Sequence, residues 1–517
     1  MPILASLLFA GLCALQDGTN ETRDRWAFQL EEQAVQRLWL DTSRRFPRAG
    51  SPSEVAFEHA SVLSMASPEI QPDRTVWIRD GRIAEIAAKG ASTVPAGVPR
   101  IDASGKFLMP GLVDMHVHTS TSSSGYLLDL AVGVTGVREM CGFPWMLRRR
   151  EAARAGKLLA PRLAIAGHIL NAFPMDMYAT VVNTPEEARA RVREQVAAGY
   201  DFIKVHNSLP LETYRAIADE SKRLGVRMVG HVPHDVTLAE AFAVGQHTQE
   251  HFKGIILDST LEMTDEDWTE VLKGKHAFLC PTLYTRRTAL RGEALLRVLD
   301  APEMRYVPAR DRARWRERAQ EPQAADSHDR VWELSQDIFR ELVGSDVIWL
   351  AGTDSGGGYP NMVSGFALHD ELATMVKLGL SPYEALRAAT VNAAQALDRA
   401  DESGTLERGK LADLVLLDAN PLTDLGTLAR PAGVMAGGTW LSREALTALL
   451  DALAALYARP MPPVPDAQGR AAFLAEMEAQ AAAGMVFMDH HLEDLADLLA
   501  SAGDAENAQR VRARESH

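Results

Sequence analysis

Cysteine is nearly absent from this chain: Cys13, Cys141 and Cys280 are all it has in 517 residues. Their spacing is unpaired, which excludes a disulfide framework and a cysteine-built zinc site. Long apolar runs are missing as well. No stretch reaches the roughly 18 uninterrupted apolar residues that a membrane span requires. Positive charge is in deficit, with 54 Lys and Arg against 69 Asp and Glu, a formal charge of −15. That is the wrong sign for a nucleic-acid backbone. No glycine-rich phosphate turn follows the first β run, which argues against an open doubly wound sheet. What remains is ordinary globular composition, 46% hydrophobic and 24% charged, in a chain long enough for one large core or several smaller ones.

One apolar block stands at the start. Ile3–Leu15 has the length of the hydrophobic region of a secretory signal and gives way at once to polar sequence. Residues 1–15 therefore read as a signal peptide, with a periplasmic or secreted protein as the outcome. No Lys or Arg precedes the block, so a mis-assigned start, and with it a cytoplasmic protein, stays open. Gly11-Leu12 ahead of Cys13 fits a lipoprotein cleavage box poorly.

Downstream, residues 112–390 alternate between short β-rich runs and amphipathic helical stretches. The runs are Leu112–His118, Val134–Met140, Arg162–Ile169, Phe202–His206, Arg227–Val232, Thr248–Phe252, Ala277–Leu283 and Val347–Asp354. Helix-like segments such as Thr184–Ala198, Leu211–Leu224 and Thr237–Val244 lie between them. Eight strand–helix units predict an α/β fold, a (β/α)8 TIM barrel over residues 109–403. β-rich pieces flank it. Val76–Ile86 alternates apolar residues around an Asp80-Gly81 turn, the pattern of a hairpin. Lys410–Asp418 reads as a strand, and Gly433–Leu441 carries Gly437-Gly438 as a second candidate turn. Together they predict one small composite β-sandwich, built from residues 55–108 and 404–442. Residues 16–54 read as an N-terminal helical segment, clearest over Asp24–Phe46. Residues 443–517 read as a helical C-terminal extension with a proline break at 460–464. A helical insert at 284–343, between the seventh and eighth runs, is placed to act as a lid.

In such a barrel the active site sits at the C-terminal ends of the strands. Those positions hold His116 and His118 (first strand), Lys204 (fourth), His231 (fifth), His251 (sixth) and Asp354 (eighth). In Pro110-Gly-Leu-Val-Asp-Met-His116-Val-His118 the histidines are two apart and point to the same side of a strand. Two converging imidazoles are what a divalent metal needs as its first ligands. Taken singly each residue has a bland reading: a capping histidine, a lysine snorkelling to the rim, a satisfied core histidine, an aspartate N-cap. Joint placement at strand ends turns the reading to a metal site.

The same segments carry a family resemblance. The run ending at His118, with Phe202-Ile-Lys204-Val, Val229-Gly-His231-Val, Gln249-Glu-His251, Ala351-Gly-Thr-Asp354 and Gly404–Asp418, resembles the amidohydrolase superfamily over about residues 55–440. Within it the chain is most similar to the imidazolonepropionase-related branch, which includes Xaa-Pro dipeptidases. The resemblance implies two divalent metal ions, zinc first, with manganese, iron or cobalt as substitutes. His116, His118 and Asp354 would hold one ion, and His231 and His251 the other. Lys204 would bridge them as a carbamate made with carbon dioxide, since an ammonium cannot ligate a metal and a carbamate can. The implied reaction is hydrolysis of an amide C–N bond by water activated between the ions. Asp354 would serve as ligand and as catalytic general acid–base.

Substrate contacts are marked less sharply. His206, two residues past Lys204, faces the same side and is a candidate to hydrogen-bond substrate or to brace a ligand. His168 has the same standing. Tyr284 follows the seventh strand together with Arg286 and Arg287, where a cation could clamp a carboxylate; the arginines read otherwise as solvated surface. His369 and Glu371 read as braces behind the site, His234 as loop surface, and the pair His490-His491 as solvent-facing. The expected function is a dipeptidase or N-acyl amino acid amidase acting on a small-molecule or dipeptide substrate. A cyclic amidohydrolase of the imidazolonepropionase type and a lactonase or phosphotriesterase are the alternatives. A non-catalytic scaffold ranks last, because all six ligand positions are filled. Nucleic acid and a membrane span are excluded as partners, and a homo-oligomer is left open.

Overall fold

The alternation in the sequence becomes two groups of strands in the computed structural model, which describes residues 18–46, 54–119, 122–257, 262–287, 292–320, 327–356, 362–460 and 462–514. The export segment expected at 1–15 lies outside them, as does Cys13. After helix α1 (Gly18–Arg45) come five flanking strands: β1 (Val55–Leu63), β2 (Ile70–Arg79), β3 (Arg82–Ala88), β4 (Arg100–Asp102) and β5 (Phe107–Pro110). Asp80 and Gly81 join β2 to β3 with φ of 54° and 71°, the two left-handed residues that a tight primed hairpin turn requires.

The parallel set follows. It comprises β6 (Leu112–Val117), β7 (Val134–Glu139), β8 (Arg162–Ile165), β9 (Ile169–Asn171), β10 (Ala179–Val181), β11 (Phe202–Val205), β12 (Arg227–Gly230), β13 (Thr248–Glu250), β14 (Phe278–Cys280) and β15 (Ile348–Trp349). Helices fill the intervals. α2 (Ser124–Ala131) links β6 to β7. The helix Pro185–Ala198 begins with a Thr184/Glu187 capping box and a first-turn proline, the start signals expected of its sequence. Strands β6-β7-β8 form one parallel sheet, and β10-β9-β11-β12-β13-β14-β15 another. Isolated parallel bridges join their edges, Ala166 to Phe202 and Val117 to Ser355. The His118 N–H donates to Ser355 O at 2.7 Å across the second junction.

Three late strands, β16 (Leu414–Leu417), β17 (Gly433–Ala436) and β18 (Thr439–Ser442), return to the flanking group. They complete one eight-stranded sheet, ordered β18-β17-β16-β5-β1-β2-β3 with β4 on β1. Its core joins Phe57, Val62 and Val76 to Leu414 and Leu416, so strands from both ends of the chain share one apolar layer.

The chain closes with α3 (Arg443–Tyr457), α4 (Ala467–Ala482), α5 (Asp489–Ser501) and a last helix, Ala505–Arg512. These pack on α1: Trp26 meets Phe473 edge-on at 6.0 Å, within a cluster that includes Leu495 and Leu499. The insert between β14 and β15 is helical over Gly292–Leu299, Ala309–Arg318 and Ser327–Leu342. Its Leu295, Leu299 and Tyr306 share a core with Val35 of α1 and Leu453 and Tyr457 of α3. One expectation is corrected here. His491 is 7% exposed and lies 4.7 Å from the Phe28 ring, while His490 faces Phe143 and Trp145. His491 is covered because α5 packs on α1, and His490 is half-buried. Among the described residues no helix is long and apolar enough to cross a membrane. Cys141 and Cys280 are buried and unpaired.

Candidate metal centre

Strand β6 delivers the first pair of imidazoles. His116 is fully buried, and its Nε2 lies 3.4 Å from Asp354 Oδ1. His118, just past the strand end, places Nε2 3.1 Å from the same oxygen. The ligand atoms of His116, His118 and Asp354 fall within 4.8 Å of one another. Asp354 comes from the loop after β15, where its own φ is 61° and its N–H donates to His116 O at 2.7 Å. Gly352 lets that loop approach, since a Cβ there would stand 2.5 Å from Cys280 Sγ and 2.9 Å from His116 Cβ. Burial opposes ionisation of Asp354, but the His118 hydrogen bond and the neighbouring imidazoles bring its carboxyl down to about 2.

Lys204, His231 and His251 approach from β11, β12 and β13. The His116 and His251 rings are 4.5 Å apart, and His231 and His251 4.9 Å. Lys204 is 1% exposed, and burial lowers its ammonium to about 8. Burial also holds His116 and His231 well below the usual imidazole range, so both are neutral, as ligands must be. Gly230 makes the lysine's place. Its φ is 126°, and a Cβ there would meet Val205 O at 2.3 Å and Lys204 Cδ at 2.9 Å.

Each buried imidazole has its Nδ1 engaged. His116 Nδ1 pairs with Glu250 Oε2 at 2.9 Å, His231 Nδ1 with Asn207 Oδ1 at 2.5 Å, and His251 Nδ1 with Thr282 Oγ1 at 2.6 Å. Glu250 is anchored in turn by Arg138 Nη2 at 2.8 Å, and Arg138 Nε donates to Met115 O at 2.6 Å. Asp114, pushed up to about 7 by burial, accepts from the Thr353 hydroxyl at 2.7 Å and ties β6 to the Asp354 loop. Sequence reasoning missed Glu250, Arg138, Asn207, Thr282 and Asp114. Glu250 stood inside the Gln249-Glu-His251 motif. Strict alternation would send neighbouring residues 250 and 251 to opposite faces, but His251 has φ of 62° and turns back.

The candidate substrate contacts separate. His206 stacks 4.1 Å from His231 and so borders the centre. His168 has both ring nitrogens committed, Nδ1 with Thr180 Oγ1 at 2.8 Å and Nε2 with Met177 O at 2.5 Å. Tyr284 is buried against Met362 and Ala367. Glu371 accepts from its N–H at 2.6 Å, and His369 Nε2 donates to Val132 O at 3.0 Å. The His234 N–H donates to Asn207 O at 2.8 Å. The side chains of Arg286 and Arg287 lie outside the described residues.

Divalent ions fit this donor set. His116 Nε2 and Lys204 Nζ are buried with no hydrogen-bond partner among the described residues, a situation that buried polar atoms otherwise avoid. Residues 107–441 match the model of the amidohydrolase family. An uncharacterized protein of Mycobacterium tuberculosis is 26% identical over 395 residues, covering 70% of this chain and 90% of its own. Bottromycin amidohydrolase superposes with a TM-score of 0.67 at 24% identity, over 83% of this chain and 96% of that one. A Xaa-Pro dipeptidase with methionine bound in its active site gives 0.57 at 22% identity, over 75% and 100%. Both structural likenesses are likenesses of fold.

Proposed function

The chain belongs to the amidohydrolase family, and from that premise we propose that it hydrolyses the C–N bond of a dipeptide or N-acyl amino acid with two divalent ions, zinc first. One observation carries the reading. His116 and His231 have Nδ1 taken by Glu250 and Asn207, which leaves their Nε2 for the interior they share with Lys204. His116, His118 and Asp354 would hold one ion, and His231 and His251 the other. Lys204 would serve both as a carbamate. Its buried amine would add to carbon dioxide, forming one N–C bond, releasing one proton and gaining two oxygen donors. The bound ions would supply Lewis acidity and acidify the attacking water.

The chain's own side chains supply the proton path and the geometry. Asp354 Oδ1 accepts the proton of the attacking water and returns it to the leaving nitrogen. Glu250, Asn207 and Thr282 fix the imidazole tautomers, and Arg138 fixes Glu250. The eight strands β6, β7, β8 and β11–β15 read as a (β/α)8 barrel with its site at the C-terminal end; the Ala166–Phe202 and Val117–Ser355 bridges support closure. The flanking eight-stranded sheet supports a composite second domain. The Ile3–Leu15 block supports export, which fractionation of cells making the full chain checks.

The test is product release by mass spectrometry. Zinc-loaded protein, with a chelated control, is given Xaa-Pro, Xaa-Arg and other dipeptides together with N-acyl amino acids. Chelator-sensitive cleavage is expected, and the cleaved members map the pocket. Silence from protein carrying two ions would overturn the linear-amide assignment in favour of cyclic amides, lactones or phosphotriesters.

A further inference from the structure

The helices α1 and α3–α5 lie outside the segment that matches the family, yet they reach the loop that leaves His118. Its described residues are Thr119, Ser122 and Ser123, ahead of α2 at Ser124. Its near end is held from within the barrel: the Thr119 N–H donates to Glu139 Oε2 at 3.1 Å, and Thr119 Oγ1 donates to Tyr126 Oη at 2.9 Å. Its far end is held from α1. Glu32, 4% exposed, accepts from the Ser123 N–H at 3.1 and 3.3 Å and from Ser122 Oγ at 3.2 Å. Gln36, one turn along α1, donates to the same carboxylate at 3.2 Å.

The chemistry of a helix start explains the arrangement. The first N–H groups of a helix lack internal partners, and a carboxylate beside them is favoured by the helix dipole. Ser123 occupies the N-cap of α2 but makes no side-chain cap bond. Its hydroxyl accepts instead from Arg149 Nη2 at 2.8 Å. Arg149 also donates to Val486 O at 2.9 Å, between α4 and α5, and sits over the Trp39 ring of α1. The acceptor at the start of α2 is thus supplied by α1, 91 residues upstream.

We infer that Glu32 is a positioning residue for His118, holding Ser122 and Ser123 at the start of α2 so that the His116–His118–Asp354 cluster is preformed. The inference rests on the reading of His118 as a metal ligand.

The full chain tests it in three variants, Glu32→Ala, Glu32→Gln and Asp494→Asn. Asp494 accepts from Arg25 and Gln29 and so belongs to the terminal-helix packing without touching the loop. Hydrogen exchange over residues 119–126 and zinc affinity by chelator competition are both read. Glu32→Ala is expected to exchange at least tenfold faster there and to weaken one of two zinc-binding events by about tenfold, the usual scale for removing a group behind a ligand. Glu32→Gln, which keeps one acceptor oxygen, recovers most of both, and it carries the test if Glu32→Ala does not fold. Asp494→Asn lowers the melting temperature and leaves both readouts alone. A Glu32→Ala protein that melts lower yet keeps exchange and affinity would overturn the inference, since Glu32 would then be structural only. A wild-type chain that binds no divalent ion would sink the metal reading, and the exchange rates alone would then decide whether Glu32 holds the loop.

Discussion

Each buried imidazole of the centre has one nitrogen already spoken for, so its identity as a donor is decided before any ion arrives. Two substitutions separate holding an ion from moving a proton. Lys204→Ala removes the side chain that both ions would share, and metal content measured by emission spectrometry should fall together with activity. Near-normal turnover would sink the carbamate assignment. Asp354→Asn keeps the volume and removes the basicity, so kcat should fall by about 10²- to 10⁴-fold with a smaller effect on KM. A mild loss would mean that another group moves the proton. At this scale the candidate ligands were legible as residue types and their hydrogen-bond partners were not. His116, His118, Lys204, His231, His251 and Asp354 announce themselves by residue type at strand ends. Asn207 and Thr282 are ordinary loop residues until the fold sets them beside His231 and His251.

The strands explain why. Every β run read from the sequence exists, but most stop short at the end where chemistry begins: Thr248–Phe252 becomes Thr248–Glu250, and Val347–Asp354 becomes Ile348–Trp349. Past those ends His251, Thr282 and Asp354 take φ of 62°, 47° and 61°, a region that non-glycine residues enter at a cost. A period-two pattern carries no information about such a turn. The expected strand therefore placed His251 in the right neighbourhood without revealing that Glu250 also faces the interior. Hairpins and capped helices were easier, because Asp80-Gly81 and Thr184/Glu187 are local signals. Gly230 gives the element-scale prediction. Gly230→Ala forces a side chain against Val205 O and Lys204 Cδ at a backbone conformation costing about 1–3 kcal/mol. Both the melting temperature and the metal stoichiometry should drop. A variant with full metal content would show that β11 and β12 can shift apart without disturbing Lys204.

At the scale of the molecule, what the sequence concealed is that its two ends are one unit. Nothing in the composition of α1 points to α4 and α5, yet Trp26, Gln29 and Gln33 pack on or hydrogen-bond to them. Trp26→Ala should lower stability by about 3–5 kcal/mol, the range for emptying a buried aromatic site, read as an earlier urea midpoint. An unchanged midpoint would mean that the terminal helices unfold apart from the rest. Their pairing also sets a timetable for synthesis. Arg25 and Asp494 are 469 residues apart, so a ribosome adding about 5–20 residues per second needs roughly 20 to 90 seconds to make the second partner after the first. Throughout that interval the nascent α1 lacks the partners of its Trp26, Gln29 and Gln33. Closure of the contacts between α1 and α5 is thereby deferred until residue 494 has been made. A chain stopped before α4 would hold all six candidate ligands and lack the helices that pack on Trp26.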